Sequence, residues 1–258
     1  MRPAYPFLDS LYDAALALLY PQACAICGAS VEARAEGVAC GACWGETRIF
    51  TIEDTLCWKC GAFSTAQTPP EKLKDVSCHR CEREPYDAAR ACGKYEGALR
   101  ASVLALKREP YVSSRLARLL YEAQQREPLK RATRILPVPL HPERERERGF
   151  NQAAVLGRSL AALSGLPLDE WSLVRTLHTE RHRAGMDAEA RRASVEEAFH
   201  VERPRLVDGE RILLVDDVFT TGATVASCAR ALKSAGAQAV FVLTLARPEE
   251  ETSIPDQR

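Results

Sequence analysis

The chain has no surplus of either charge: Lys and Arg number 35, and Asp and Glu also number 35. That balance excludes a dedicated polyanion-binding coat, although it permits a local basic patch. Long apolar runs are missing too. The candidate nearest the start, Ala14 to Tyr20 in MRPAYPFLDSLYDAALALLYP, is too short to span a bilayer. One early Arg is followed by acids at Asp9 and Asp13, which is not the charge pattern of a secretory leader. Residues 1–22 read instead as an amphipathic helix capped by Ser10 and ended by Pro21, its apolar face docked on the body. The chain is expected to be cytoplasmic, without a transmembrane segment. Cysteine is scarce in the last two thirds, where Cys92 and Cys228 read as core thiols.

The first third is the opposite. It holds four CxxC pairs, Cys24/Cys27, Cys40/Cys43, Cys57/Cys60 and Cys78/Cys81, with 12, 13 and 17 residues between successive pairs. A CxxC turn supplies two thiolates, and two turns complete a tetrahedral zinc shell. Disulfides are the alternative, but a reducing cytosol opposes them. Four pairs combine into two sites in three ways. Glycine follows the first and third pairs (Gly28, Gly61) and not the second and fourth (Trp44, Glu82). Glycine there lets the turn go left-handed and aim amides at sulfur. The alternation reads as two tandem units: Cys24, Cys27, Cys40 and Cys43 at one site, and Cys57, Cys60, Cys78 and Cys81 at the other. Interleaved pairing stays open. His79 reads as a bystander to a complete shell, and Trp58 as a residue packed beside zinc or a platform for a base. Closed four-cysteine sites leave no open coordination position, so the two zinc ions are structural.

The domain boundary is placed near residue 85, giving a helix at 1–22, a double zinc ribbon at 23–85, a second domain at 86–248 and a tail at 249–258. From about residue 88 strands and helices alternate. Strands are expected at Ala89–Lys94, Ile135–Val138, Arg211–Val215 and Ala239–Leu245, with helices over 97–107, 114–126, 152–164 and 223–235. This alternation predicts an α/β fold, a mainly parallel sheet with flanking helices. Ligands in such folds sit beyond the carboxyl ends of the strands.

ILLVDDVFTTGATV, residues 212–225, fits that position. An apolar strand leads to Asp216 and Asp217, then to Thr220, Thr221, Gly222, Ala223 and Thr224, which open a helix. Two adjacent carboxylates suit ribose hydroxyls, directly or through a divalent cation. A Thr/Gly loop at a helix N-terminus suits a phosphate. Together they describe a phosphoribose cradle. The competing reading is an ordinary strand, turn and helix in which Asp217 and Thr220 are local caps.

This stretch resembles the phosphoribosyl diphosphate (PRPP) motif of type I phosphoribosyltransferases. With PVPLHPERERERGFNQA and the cysteine-rich start, nearly the whole chain resembles the ComF family, linked to bacterial competence for DNA uptake. The resemblance implies that Asp216 and Asp217 hold the ribose hydroxyls, that residues 220–224 hold the 5′-phosphate, and that Mg²⁺ accompanies PRPP. The loop after Pro137-Val138-Pro139 would face pyrophosphate, with Arg144, Arg146, Arg148 and Gly149 as its candidates and Arg148 foremost. On charge alone the run is a solvated one, because Glu143, Glu145 and Glu147 alternate with the arginines. Residues 175–199 resemble the family's mobile loop, with departures at Arg183 and Ser194, where the family commonly has Gln and Asn. Arg181, His182, Arg191 and Arg192 lie on the same loop.

The chemistry implied is attack on the anomeric carbon as pyrophosphate leaves. Thr220 stands where hypoxanthine–guanine enzymes carry an extra acid, which weakens a purine-salvage assignment; no other general base stands out, and the acceptor is unspecified. The alternative is a non-catalytic nucleotide- or DNA-binding module in the DNA-uptake machinery, with single-stranded DNA and a DNA-uptake helicase as its partners. Glutamine-dependent amidotransfer fits poorly, since metal claims the N-terminal cysteines.

Overall fold

The structure is a computed structural model and describes residues 22–64, 72–73, 76–78, 81–175 and 198–248. The expected helix before residue 22, His79, the interior of the 175–199 loop with Arg181, His182, Arg183, Arg191, Arg192 and Ser194, and the tail lie outside the described residues.

Among the described residues six strands are formed: β1 (Ala88–Lys94), β2 (Arg134–Pro137), β3 (Leu173–Arg175), β4 (Phe199–Val201), β5 (Arg211–Val218) and β6 (Ala239–Arg247). The helices are α1 (Gly41–Glu46), α2 (Gly97–Leu106), α3 (Ser114–Gln124), α4 (Pro142–Arg148), α5 (Gln152–Ser164) and α6 (Ala223–Ser234). Four strands make one sheet in the order β1-β6-β5-β2, each pair parallel. The expected parallel α/β sheet is therefore present. Its central strands are apolar without alternation because both faces are covered; Ile212, Leu213, Leu214 and Val215 are wholly buried.

Strand alternation divides those residues between two cores. Leu213 and Val215 face a core shared with Leu99 of α2, Leu120 of α3 and Leu156 of α5. Ile212 and Leu214 face a second core with Cys228 and Leu232 of α6, and with Leu173 and Phe199 of the β3–β4 pair. The cysteine-rich segment is built into both. Cys24, Cys40, Cys43 and Trp44 join the first core, whereas Cys57, Cys60, Cys78 and Cys81 join the second.

The same segment covers the free edge of β1. Ala89 donates to the Lys59 carbonyl at 2.6 Å, Phe50 to that of Cys92 at 2.8 Å, and Lys94 to that of Arg48 at 3.0 Å. An unpaired edge would be a template for association, and these bonds remove it. The approach is close enough that a Cβ at Gly61 would lie 2.5 Å from the Ala89 carbonyl oxygen, and one at Gly93 2.3 Å from that of Arg48. Across the sheet, Ile135 of β2 bonds to Pro167 and Asp169, which cover the other edge. Among the described residues no helix is long and apolar enough to cross a membrane.

Candidate metal centres and phosphate site

The two cysteine units are copies of one local design. Ala23 bridges Ser30 and Leu56 bridges Phe63, each across an antiparallel turn of the same length. Cys24 donates to Ala29 and Cys57 to Ala62, at 2.7 and 2.8 Å. Gly28 and Gly61 take φ of +76° and +68°, the left-handed conformation that glycine adopts without penalty. Their own amides donate to the Cys24 and Cys57 carbonyls and so close each turn. As expected, other amides of the turns are aimed at sulfur: those of Cys27, Cys40 and Ile26 at Cys24, with the Cys40 amide 3.4 Å from Cys24 Sγ, and those of Cys60 and Cys78 at Cys57.

The sulfurs gather in tandem, not interleaved. Cys24, Cys27, Cys40 and Cys43 form one group and Cys57, Cys60, Cys78 and Cys81 the other, each with its sulfurs within 4.8 Å of one another. Cys24–Cys43 and Cys27–Cys40 are both 3.7 Å apart. A tetrahedron with Zn–S bonds of about 2.3 Å has edges of roughly 3.8 Å. In the second group Cys57–Cys81 and Cys60–Cys78 are 3.5 Å apart. Both groups fit zinc, and both are closed four-sulfur shells. Trp44, next to Cys43, is buried, and its indole donates to the Glu36 carbonyl at 2.9 Å. Trp58 lies with the Arg90 guanidinium 5.2 Å from its ring centre, and Arg90 donates to its carbonyl at 2.8 Å.

At the carboxyl end of the sheet, β5 runs three residues further than expected, so Asp216 and Asp217 lie within the strand and not beyond it. Alternation sends them to opposite faces. Asp216 faces the α6 side, where its charge helps to raise the Cys228 thiol. Asp217 faces the α2 side, with Oδ2 at 3.5 Å from Lys107 Nζ. The Asp217 amide donates to Asp216 Oδ1 at 2.9 Å. Burial above all, and then the charge of Asp217, push the Asp216 carboxyl up to about 7. Asp217 Oδ2 is buried and makes no hydrogen bond.

Five residues on, Gly222 takes φ +79° and starts α6 with no side-chain cap. The first turn of a helix has amides without intrahelical acceptors. Thr220, Thr221, Ala223 and Thr224 are exposed around it, and Thr221 Oγ1 lies 3.4 Å from the Ala223 amide. A Cβ at Gly222 would stand 2.9 Å from Phe219 Cζ, so glycine is required twice over. The opening can receive an anion on backbone donors.

The arginine run differs from expectation. It forms α4, not an open loop, with the His141 ring accepting from the Glu143 amide and Gly149 ending it at φ +83°. A Cβ at Gly149 would meet nothing within 4 Å, and its left-handed φ serves the helix end. Helical spacing puts Arg144 and Arg148 one turn apart on one face and Arg146 on another. Arg146 turns back to the Pro142 carbonyl at 3.2 Å. Arg148 is half-buried, and its Nη1 is buried without a hydrogen-bond partner. Asn151 ties the segment down. Its Oδ1 caps α5 at Ala153 and its Nδ2 donates to the Val138 carbonyl, both at 3.0 Å.

Residues 15–96 match the double zinc ribbon domain, and residues 150–257 match the phosphoribosyl transferase domain. The DNA utilization protein YhgH of Escherichia coli strain K12 is 32% identical over 238 residues, covering 89% of this chain and 99% of that protein. Competence protein F of Haemophilus influenzae is 34% identical over 142 residues, 53% of this chain and 62% of that one. Competence protein ComFC of Bacillus subtilis is 37% identical over 114 residues, 44% of each chain.

Proposed function

This chain belongs to the ComF/YhgH family, in which a double zinc ribbon precedes a phosphoribosyltransferase domain, and we propose that it binds PRPP and transfers its phosphoribose to an acceptor. The observation that carries the reading is the juxtaposition on β5 and α6. Two carboxylates on one strand are followed within five residues by an uncapped helix start led by a left-handed glycine.

In the reaction, a lone pair on the acceptor forms a bond to the anomeric carbon. The bond from that carbon to the diphosphate oxygen breaks, and its electron pair leaves with pyrophosphate. The amides of Gly222 to Thr224 and the Thr220 and Thr221 hydroxyls would hold the 5′-phosphate. Asp216 and Asp217 would fix the ribose hydroxyls and so orient the anomeric carbon. Arg148, whose Nη1 lacks a hydrogen-bond partner, would be the arginine of α4 that meets diphosphate oxygens. Asp217, whose Oδ2 makes no hydrogen bond, would be the carboxylate to hold Mg²⁺ brought with PRPP, and the ion would neutralise diphosphate charge. The setting in DNA utilization named for the relatives is extended to this chain as part of the same reading.

The test is calorimetric titration of the zinc-loaded protein with PRPP and Mg²⁺, beside the Asp216→Asn/Asp217→Asn variant. Binding by the wild type and at least tenfold weaker binding by the variant are expected. Acceptors are then screened for pyrophosphate release. Binding without release from any acceptor would favour a non-catalytic nucleotide-binding module, and no binding by folded protein would sink both.

A further inference from the structure

The second cysteine group lies against the phosphate loop. A cleft of 100 Å³ is lined on one side by Cys60, Cys78 and Tyr86, and on the other by Phe219, Thr220 and Thr221. Arg247, at the end of β6, joins the two sides. It is 8% exposed, and its Nη1 donates to the Cys60 carbonyl at 2.6 Å. Its guanidinium lies 5.1 Å from the centre of the Phe219 ring. Phe219 is held edge-on by Tyr86, with ring centres 6.1 Å apart and planes at 89°. The Phe219 amide donates to the Ala246 carbonyl at 2.9 Å, which fixes the backbone one residue before Thr220. Its ring then occupies the space a side chain at Gly222 would need.

Each contact is directional. A guanidinium stacked on an aromatic ring and bonded to a carbonyl loses both interactions if the carbonyl moves. Cys60 is itself one of the four sulfur donors, so the position of its carbonyl follows the closure of the four-sulfur shell. Phe219 in turn sets the entry to the left-handed Gly222 and so the aim of the first amides of α6. No such contact links the first cysteine group to this loop among the described residues; its Trp44 packs instead under Arg115 of α3, 4.7 Å from the ring centre.

We propose that Arg247 and Phe219 are positioning residues through which the second zinc ribbon, and not the first, holds the phosphate loop in its anion-receiving shape. The consequence for PRPP rests on the function proposed above. The coupling itself does not, because it concerns the loop's own backbone. Zinc loss or thiol oxidation at Cys57, Cys60, Cys78 and Cys81 would therefore loosen residues 219–224 from a distance.

The experiment is hydrogen exchange of the 219–224 segment in the full-length zinc-loaded protein, read together with zinc content. Four forms are compared: wild type, Arg247→Gln, Cys78→Ser and the double variant, with Cys27→Ser as the first-ribbon control. Arg247→Gln, retaining both zinc ions, should speed exchange at 219–224 about tenfold. Cys78→Ser should do the same, and adding it to Arg247→Gln should change exchange by less than about twofold, because both act through one contact. Cys27→Ser should leave the segment unchanged. Additive effects of Arg247→Gln and Cys78→Ser, or an equal effect of Cys27→Ser, would overturn the proposal. Should Cys78→Ser fail to fold, Phe219→Leu replaces it, with loosened exchange at full zinc content expected and unaltered exchange refuting. PRPP with Mg²⁺ should slow chelator extraction of one of the two zinc ions, since coupling is reciprocal. Loop coupling with no PRPP effect would sink the PRPP reading and leave the coupling standing.

Discussion

Asp216→Asn should make the empty protein more stable while weakening its ligand site, and the gain should depend on pH. In the folded chain burial and the neighbouring Asp217 charge raise this carboxyl from its ordinary 3.8 to about 7. Below 3.8 the group is protonated in folded and unfolded chains alike and costs nothing. Between the two values the unfolded chain ionises while the folded chain keeps its proton, so stability falls as pH rises. Above about 7 the cost is complete. At face value it is about 4 kcal/mol. Water reaches the half-buried residue and screens its charge, so about 1–2 kcal/mol is the expected remainder.

Asparagine keeps the shape and cannot ionise. Urea unfolding at fixed zinc, without PRPP or Mg²⁺, should show the variant about 1–2 kcal/mol more stable at pH 8.5. At pH 5.5 roughly half the cost has developed, and the gain should shrink to match. A variant less stable than wild type at pH 8.5, or a difference that ignores pH, would refute a charge held against its own burial. The expected gain at pH 8.5 would also place Asp216 among residues kept for function at the expense of stability.

Gly222→Ala should cost about 2 kcal/mol in urea unfolding, against about 1 kcal/mol for Gly165→Ala. Both have positive φ, but only Gly222 has a ring 2.9 Å from the added carbon, so equal costs would deny that contact. Asn151→Ala, which loses a cap and the bond to Val138, should cost about 1–2 kcal/mol and speed amide exchange around residue 138. Zinc analysis should find two ions per chain. Chelation should lower the melting temperature of the whole chain by more than about 10 °C, because each cysteine group belongs to one of the two sheet cores. A parallel-sheet transition left in place after chelation would contradict the shared cores.

What was legible in the sequence was whatever rests on local covalent constraint or on a strong period. Glycine after Cys27 and Cys60, and not after Cys43 and Cys81, marked two copies of one turn, and the sulfurs pair accordingly. The apolar run at 212–215 marked a strand buried on both faces. The ERERER run hid its helix, since α4 buries none of its residues and so has no apolar period. Its ends did carry a signal: Pro142 at the first turn after a capping His141, and Gly149 just past the last. The β3–β4 pair has three residues per strand, too few for alternation to register. Arg90 and Arg247 were missed for a different reason. An arginine in a strand reads as an edge or surface residue, and here each is buried because a ribbon carbonyl, of Trp58 or Cys60, receives its charge.

Those two arginines change what the cysteine-rich segment is for. Read along the chain, it is a small metal module awaiting an outside partner. In the fold its backbone pairs with β1, its cysteines finish both cores, and its carbonyls receive buried guanidinium groups from β1 and β6. A four-stranded sheet leaves two edges and little apolar cover, and the zinc-closed turns provide rigid cover without a large hydrophobic core of their own. Contact with DNA or a protein is then not needed to explain why the segment is there. Since the second group also shares a cleft with Phe219, Thr220 and Thr221, the ribbon that helps to complete the fold also packs against the turn that opens α6.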